Sequence, residues 1–301
     1  MEGRPIDYRA LTRTVTRGQV TAFRQAAAHT SSFGPRLTPA HAMVAVAITA
    51  AVTIGVLFLF EPVFWPVMQE SIAMFWLVGS IPLAVLLAVA IVCTVVLVRS
   101  FRAHRTWERW MRLQAFARDN SLEFEWQTEP PDLPGFLFQQ STPSGGAVGI
   151  SHDVLSSGAW QLGDVTYSTG AGRGGSSRMA PKHHWGYIGL RIPQRVPHVI
   201  LRAHSTERSL VGMSLPRLPH VLSLDGDFER YFSTEYVGLP QDVLEFLTPS
   251  VMASLIDEAS GYQVEAVEGW LFFYIPGRLA MDNAATIQRM LRLVGVSELV
   301  S

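Results

Sequence analysis

The chain has 301 residues, of which 48% are hydrophobic and only 16% are charged, and its mean hydropathy is +0.20. This composition excludes intrinsic disorder over most of the length, and a single cysteine excludes an intramolecular disulfide and a cysteine-rich metal site. The charge is divided: residues 1–118 carry 12 basic and 5 acidic residues, a net of +7, whereas residues 119–301 carry 12 basic and 20 acidic residues, a net of −8. Because the C-terminal part is acidic, no nucleic-acid partner is expected.

The first 98 residues predict an arm and a membrane hairpin. Residues 1–40 contain six irregularly spaced arginines and are expected to form a basic N-terminal arm. Ala42–Phe60 then has nineteen residues without a charge, and Ser71–Val98 has twenty-eight. A helix needs ~20 residues to cross a bilayer, so residues 41–98 are expected to form two transmembrane helices, at about 42–60 and 71–98, with a short external loop.

The arginines predict the orientation of this hairpin. Six precede the first stretch and six follow the second, whereas the loop between them holds Glu61 and Glu70 and no basic residue. Positively charged flanks stay on the cytoplasmic side of a membrane. The sequence therefore predicts a multi-pass protein of the bacterial inner (cytoplasmic) membrane with both termini cytoplasmic and the lipid bilayer as a partner.

Residues 99–118 are expected to form a basic juxtamembrane helix. Arg102, Arg105, Arg109 and Arg112 recur at steps of three, four and three, which places them on one helix face, with Trp107 and Trp110 on the opposite one. These six residues are candidates for contact with anionic lipids at the cytoplasmic face or with a protein partner. The alternative is an anchor that only fixes the topology, with its tryptophans at the membrane interface.

Residues 119–301 are expected to form a cytoplasmic α+β domain with a mostly antiparallel sheet and segregated helices. Branched and aromatic runs separated by Gly, Pro and Ser predict strands at FLFQQ, WQLGDVTYS, HWGYIGLRI, HVILRA and VLSLDG. Helical spacing begins after Gly238, YQVEAVE and WLFFYIP predict a closing strand pair with a turn at Glu268-Gly269, and a last helix is expected from about Asp282 to Val294. Strands followed by segregated helices indicate an α+β fold.

Three groups of residues suggest chemistry, each with a structural alternative. The glycine-rich loop 170–178 could hold a phosphate but lacks a GK[ST] ending, so a mobile connection is favoured. His183 and His184 are adjacent on a strand and point to opposite faces, which disfavours a shared metal. Asp225, Asp227 and Glu229 could accept a hard cation, but a tight turn with capping acids before a short helix is the simpler interpretation.

His198 and His220 stand in two similar pieces, VPHVI and LPHVL, each at the start of a strand. Paired histidines could face each other, although the repeat is better explained by proline fixing the entry into a strand. The sequence contains no nucleophile elbow, HExxH, Walker or dinucleotide motif. We therefore assign no catalytic, cofactor-binding or metal-binding residue from the sequence, and we expect no cofactor.

The segments LSLDGDFERYF, VLEFLTPSVMASLID and YQVEAVEGWLFFY resemble a pattern of uncharacterised bacterial membrane proteins classed as domains of unknown function. The pattern reads L-E-G-D-F-[DE]-x-x-F followed by [LF]-T-P-x-x-M, and Asp225 stands where it usually has Glu. FARDNSLEFEW, LPGFLF, QLGDVTYSTGAG and HWGYIGLRI are also similar to that family, particularly to its arginine-rich actinobacterial members. The resemblance covers most of residues 110–275. It implies two spans and a cytoplasmic α+β domain, and it transfers no reaction and no functional residue.

The function expected from the sequence is a membrane-tethered cytoplasmic module that binds a partner protein or senses a ligand without catalysis. A protein partner or a homo-oligomer would suit it. The alternative is a membrane-tethered enzyme, such as a metal-dependent hydrolase that uses the carboxylates of 225–229 with His183, His184 or His220. An exposed apolar patch on the folded domain would favour the first, and convergence of those groups in a closed pocket would favour the second.

Overall fold

The computed structural model describes residues 5–28, 44, 47–55, 72–139, 148–168, 182–193, 196–207, 215–224 and 226–300. The chain divides into two compact units, one formed by Met1–Thr14 with Arg112–Ser301 and the other by Val15–Met111. The glycine-rich loop 170–178 and Asp225, considered above for phosphate and cation binding, lie outside the described residues.

Helices precede the first strand and follow the last one, and others lie between strands. The labelled α-helices are α1 Arg9–Thr12, α2 Arg17–Ala28, α3 Ile72–Asp119, α4 Phe136–Gln139, α5 His204–Glu207, α6 Pro240–Phe246, α7 Pro249–Ala259, α8 Ala284–Arg292 and α9 Val294–Glu298. Residues 47–55 are also helical. A 3-10 turn at Phe228–Arg230 completes the set.

The expectation of a membrane hairpin is corrected by these helices. Across the described parts of the chain, no helix combines the length and the apolar character needed to cross a membrane. Of the first predicted span, only residue 44 and the helical run 47–55 are described, and that run is less than half of the ~20 residues a crossing requires. Of the second, helix α3 contains 72–98, but its apolar side chains are described continuously only from 87 to 98.

The transmembrane part of the predicted fold class is therefore wrong, and so are the predicted multi-pass inner-membrane location and the cytoplasmic placement of both termini. The external loop proposed for residues 61–70 lies outside the described residues. What the structure shows instead is a large antiparallel sheet with helices.

Nine strands form one sheet. They are β1 Glu123–Thr128, β2 Val148–Ser156, β3 Trp160–Ser168, β4 Lys182–Arg191, β5 His198–Ala203, β6 His220–Leu222, β7 Phe232–Val237, β8 Gln263–Val267 and β9 Trp270–Pro276. Their spatial order is β1-β2-β3-β4-β9-β8-β5-β7-β6, and every neighbouring pair is antiparallel. The last hairpin, β8–β9, thus lies in the middle of the sheet and joins β4 to β5.

Successive residues of the central strands alternate between two hydrophobic cores, as the period of a strand requires. In β9, Leu271 and Phe273 belong to the larger core, whereas Phe272 and Tyr274 belong to the smaller one. The larger core is completed by side chains of α6 to α9 and by Leu113 and Phe116 of α3. The smaller core is completed by Leu137 and Phe138 of α4 and by Leu215, and we call this side of the sheet the α4 face.

Several predicted elements are confirmed and others are wrong. Strands are present as expected at 160–168, 182–191 and 198–203, and β8 and β9 pair across the predicted turn at Glu268-Gly269. Phe136–Gln139, in the run expected as a strand, form helix α4. The short helix expected at the acidic turn is a 3-10 turn, Phe228–Arg230. It ends before Phe232, which opens strand β7 because residues 232–237 pair with β5 on one side and β6 on the other.

Candidate functional site

Glu265 is a carboxylate buried on the α4 face, in the middle of strand β8, with 1% of its surface exposed. Its Oε1 lies 3.0 Å from Nε2 of His198. Its Oε2 accepts hydrogen bonds from the Tyr274 hydroxyl and from the Phe136 backbone N–H, both at 2.8 Å. A buried carboxylate is tolerated when its oxygens are hydrogen-bonded in this way, so the three partners explain how Glu265 is accommodated.

Tyr274 is fully buried beside Glu265. Burial first, and then the neighbouring Glu265 carboxylate, raise the pKa of the Tyr274 hydroxyl well above its usual value. The phenol therefore remains a hydrogen-bond donor throughout the ordinary pH range. Gly135 packs against the same ring: a Cβ at this position would lie 2.4 Å from the Tyr274 hydroxyl oxygen and 2.9 Å from Cε2 of Phe272.

His198 differs from Glu265 in that it reaches solvent, with 32% of its side chain exposed. It is the first residue of β5. Because Nε2 is engaged by the carboxylate, Nδ1 is the nitrogen left for other contacts, and it bonds to no residue that the structure describes. When the His198 ring is neutral and donates from Nε2 to Glu265, its Nδ1 is a hydrogen-bond acceptor. When the ring is protonated, Nδ1 is a hydrogen-bond donor.

Exposed apolar side chains lie on the strands beside His198. Val237 is its partner across β5 and β7 and is 43% exposed, Leu239 follows β7 and is 62% exposed, and Val221 on β6 is 73% exposed. We call these four residues the His198 surface. Large apolar side chains exposed together are a feature of contact surfaces, whereas single ones are ordinary.

A second buried network fixes the segment that precedes β6. The Glu235 carboxylate accepts from Arg202 Nε at 2.8 Å, from Arg217 Nη1 at 2.5 Å and from the Leu218 N–H at 3.0 Å. Burial would raise the pKa of Glu235, but the hydrogen bonds from Arg202, Leu218 and Arg217 outweigh it and lower the pKa to about 2. Arg202 also donates to the carbonyls of Leu215 and Pro216, so this network holds residues 215–218 in place.

The predicted histidine and carboxylate candidates do not come together. His183 and His184 lie on β4 and His220 on β6, five strand positions away, which is about 24 Å at ~4.8 Å per strand. Asp227 pairs with Arg230 at 2.9 Å. Glu229 Oε1 accepts from Ser223 Oγ and from the Leu224 N–H, and these two bonds lower its pKa. Among the described residues, no three His, Cys, Asp or Glu side chains form a group that could hold a metal ion.

His198 and His220 do not face each other either. Strand β7 lies between their strands, and His220 packs its ring on Tyr236 at 5.3 Å, whereas His198 binds Glu265. The similarity of VPHVI and LPHVL thus corresponds to two strand starts with different surroundings.

The six juxtamembrane candidates lie on helix α3. Trp107 and Trp110 are each 5% exposed, with ring centroids 5.2 Å apart, and Phe23 contacts the Trp107 ring edge-on. Arg102 and Arg105 are exposed, and Arg109 and Arg112 are partly buried. Arg112 donates from Nε to the Arg13 carbonyl at 3.1 Å. Lipid or partner contact by these arginines stays a prediction, while both tryptophans are packed inside the protein.

The sequence pattern does not identify Glu265 as a site residue, because Glu265 stands in a run that predicts only a strand. The one signal in the sequence is the position of Glu265 between Val264 and Ala266 in QVEAV. The structure buries every residue of this strand, so the carboxylate needs polar partners. Those partners come from residues 129, 67 and 9 positions away in sequence, and no local pattern identifies them.

Comparisons with protein-family models, with curated proteins and with solved structures find no match to this chain. The likeness to uncharacterised bacterial membrane proteins therefore stays a prediction from the sequence.

Proposed function

We propose that the nine-stranded sheet belongs to a non-catalytic interaction module that binds an extended polypeptide segment at the His198 surface. The observation that carries this proposal is the position of His198, whose imidazole is held by buried Glu265 and lies beside the exposed side chain of Val237, its cross-strand partner. In a contact with a partner, a fixed hydrogen-bonding group orients the partner, and the apolar side chains beside it contribute buried area.

The sheet edge supports a polypeptide as the occupant. Strand β6 is the last strand in the order and pairs, among the described strands, with β7 alone. An edge strand offers backbone N–H and C=O groups to an added strand, and alternate side chains of that strand then meet the exposed face. Val221 and Leu222 carry no charge that would oppose such pairing.

The placement of the remaining polar groups favours binding over reaction. The enzyme alternative required the carboxylates of 225–229 to meet His183, His184 or His220, and the described members of that set lie on separate strands or are used in turns. Nδ1 of His198 contacts no hydroxyl or thiol among the described residues that it could activate. An imidazole held in this way suits recognition of a hydrogen-bonding group on a partner.

A peptide-library selection on the full-length chain tests the proposal. Selected peptides should bind the native chain and lose at least about tenfold in affinity to Val237→Lys, which places a charge in an apolar contact. His198→Gln should weaken the same peptides, because glutamine does not reproduce the imidazole geometry. Leu299→Lys is the matched control, since Leu299 is 48% exposed and lies in the last residues of the chain.

Peptides whose affinity is unchanged by Val237→Lys and His198→Gln would overturn the proposal. A second copy of the chain is the other occupant that the sequence predicted. Light scattering of the native chain and of Val237→Lys over a range of concentrations would show whether this surface joins two copies.

A further inference from the structure

A separate cluster of donors lies where strand β3 ends and strand β4 begins, near the segment that follows β9. Thr166 and His184 are cross-strand partners, with Thr166 Oγ1 2.9 Å from Nδ1 of His184. Arg278 Nε donates to the same nitrogen at 3.3 Å. An imidazole nitrogen without a proton has one lone pair, so the two donors share it. The contact from Arg278 is the longer one, and the other N–H groups of its guanidinium remain able to bind a ligand. The proton of neutral His184 is then on Nε2.

The backbone around Arg278 is fixed on both sides. The Gly277 N–H donates to the His184 carbonyl at 2.8 Å, and the Leu279 N–H donates to Oδ1 of buried Asp164 at 2.7 Å. Leu279 also packs over Gly186, where a Cβ would lie only 2.4 Å from its Cγ. Arg278 is therefore presented from an anchored segment, which reduces the ordering needed when a ligand binds.

The two charged side chains among the donors, Lys182 and Arg278, are both cations. Lys182 and Arg278 form no ion pair with any residue that the structure describes. Arg202, Arg217, Arg230 and Arg292, by contrast, all pair with carboxylates. Burial first, and then Arg278, Lys182 and His183, lower the pKa of His184. In a domain with excess acidic residues, two unpaired cations beside a histidine indicate a place for an anion.

We propose that Lys182, His184 and Arg278, with Thr166, form a binding site for a phosphate group. The site offers a planar guanidinium, a point-charge ammonium and an imidazole N–H, and a phosphate has enough acceptor oxygens for all three. The Thr166 hydroxyl donates to Nδ1 of His184 and so orients the imidazole. On binding, Arg278 would exchange its long contact with His184 for a charge-assisted bond to the ligand. This site lies on β3 and β4, apart from the His198 surface, and does not depend on the proposed function.

Isothermal titration calorimetry of the full-length chain tests the site. Inorganic phosphate and phenyl phosphate are the probes, and acetate is the charge control. We expect saturable binding of phosphate that is tighter than that of acetate. Arg278→Gln and Lys182→Gln should each weaken it about tenfold, the loss of one charge-assisted hydrogen bond. Arg191→Gln is the matched control, because Arg191 is an exposed arginine at the opposite end of the same strand.

The titration of His184, followed by NMR of its imidazole, gives a second readout that does not depend on a variant. A phosphate bound beside His184 opposes the charges of Arg278, Lys182 and His183, so it should raise the pKa of His184. Tighter binding of phenyl phosphate would support a phosphate ester as ligand, and tighter binding of inorganic phosphate would support the free ion. Absence of saturable binding, or binding that Arg278→Gln leaves unchanged and that does not move the His184 pKa, would overturn the proposal.

Discussion

Glu265 and His198 are joined at 3.0 Å, yet Glu265 is buried to 1% exposure and the His198 side chain is 32% exposed. The pair therefore links the interior of the α4 face to the surface of the sheet. The same carboxylate holds Tyr274 and the first residue of helix α4. A change at Glu265 should thus affect stability and the orientation of His198 together.

Replacing Glu265 by leucine should destabilise the protein by about 3 kcal/mol, because the Tyr274 hydroxyl and the Phe136 N–H would lose their acceptor inside the protein. Glu265→Gln keeps an acceptor oxygen of similar size and should cost less than half as much. Urea unfolding of the native chain and both variants measures the difference. A leucine variant as stable as the glutamine variant would show that these hydrogen bonds contribute little.

Gly135→Ala should cost about 1–3 kcal/mol, the usual penalty for an added methyl group in a packed site. The new Cβ would lie within 3 Å of both the Tyr274 hydroxyl and the Phe272 ring, so helix α4 or the rings must move. Gly158→Ala is the matched control, since a Cβ there meets nothing within 4 Å. Thermal unfolding of the two variants gives the comparison, and equal midpoints would contradict the packing at Gly135.

The stability of the domain should fall on acidification because of Glu235. Its pKa is about 2 in the folded protein against an ordinary value of 4.5, so the unfolded chain binds the proton more readily. The stabilisation, on the order of 3 kcal/mol, is complete above about pH 4.5 and is lost as the pH falls toward 2. Urea unfolding at a series of pH values measures it, and Glu235→Gln should show a flatter dependence over that interval. Parallel pH profiles of the two proteins would exclude this role for Glu235.

Glu268→Asn should stabilise the turn between β8 and β9 and so raise the free energy of unfolding. Glu268 has φ of +46° and Gly269 has φ of +77°, the conformation of a two-residue hairpin turn that favours Asn-Gly. Asparagine tolerates this conformation better than glutamate, so we expect a gain of about 0.5–1 kcal/mol. Gly269→Ala should act in the opposite direction. Unfolding midpoints of the two variants that shift in the same direction would contradict the turn geometry.

Local patterns predicted the elements whose form depends on their own residues. Alternating and branched residues identified strands 160–168 and 182–191, and Asn283 caps helix α8 through Ala285, near the start predicted for the last helix. FLFQQ has the composition of a strand, but Phe136 is held by Glu265 and Leu137 and Phe138 pack on the α4 face, so distant contacts select a helix. Propensity is a weak guide where tertiary contacts decide.

The two long charge-free stretches show a different limit. Counting uncharged residues along the sequence predicted a membrane hairpin, whereas no described helix meets the requirements of a span. The candidate site could not be predicted from the sequence either. The hydrogen bonds of Glu265 join four separate parts of the chain. The strand register that brings these parts together is set by the whole sheet.

The central position of the β8–β9 hairpin has a consequence for synthesis on the ribosome. Strand β4 is complete at Arg191, but its partner β9 is synthesised about 80 residues later. Strand β5 likewise cannot pair with β8 until β8 has been synthesised. Until then β1–β4 and β5–β7–β6 are two separate sheets, each with an open edge, and closing such distant pairs is slow. A nascent chain ending before Gln263 should therefore carry two unpaired strand edges, on β4 and β5. Release of the C-terminal hairpin should be the step that joins the two sheets.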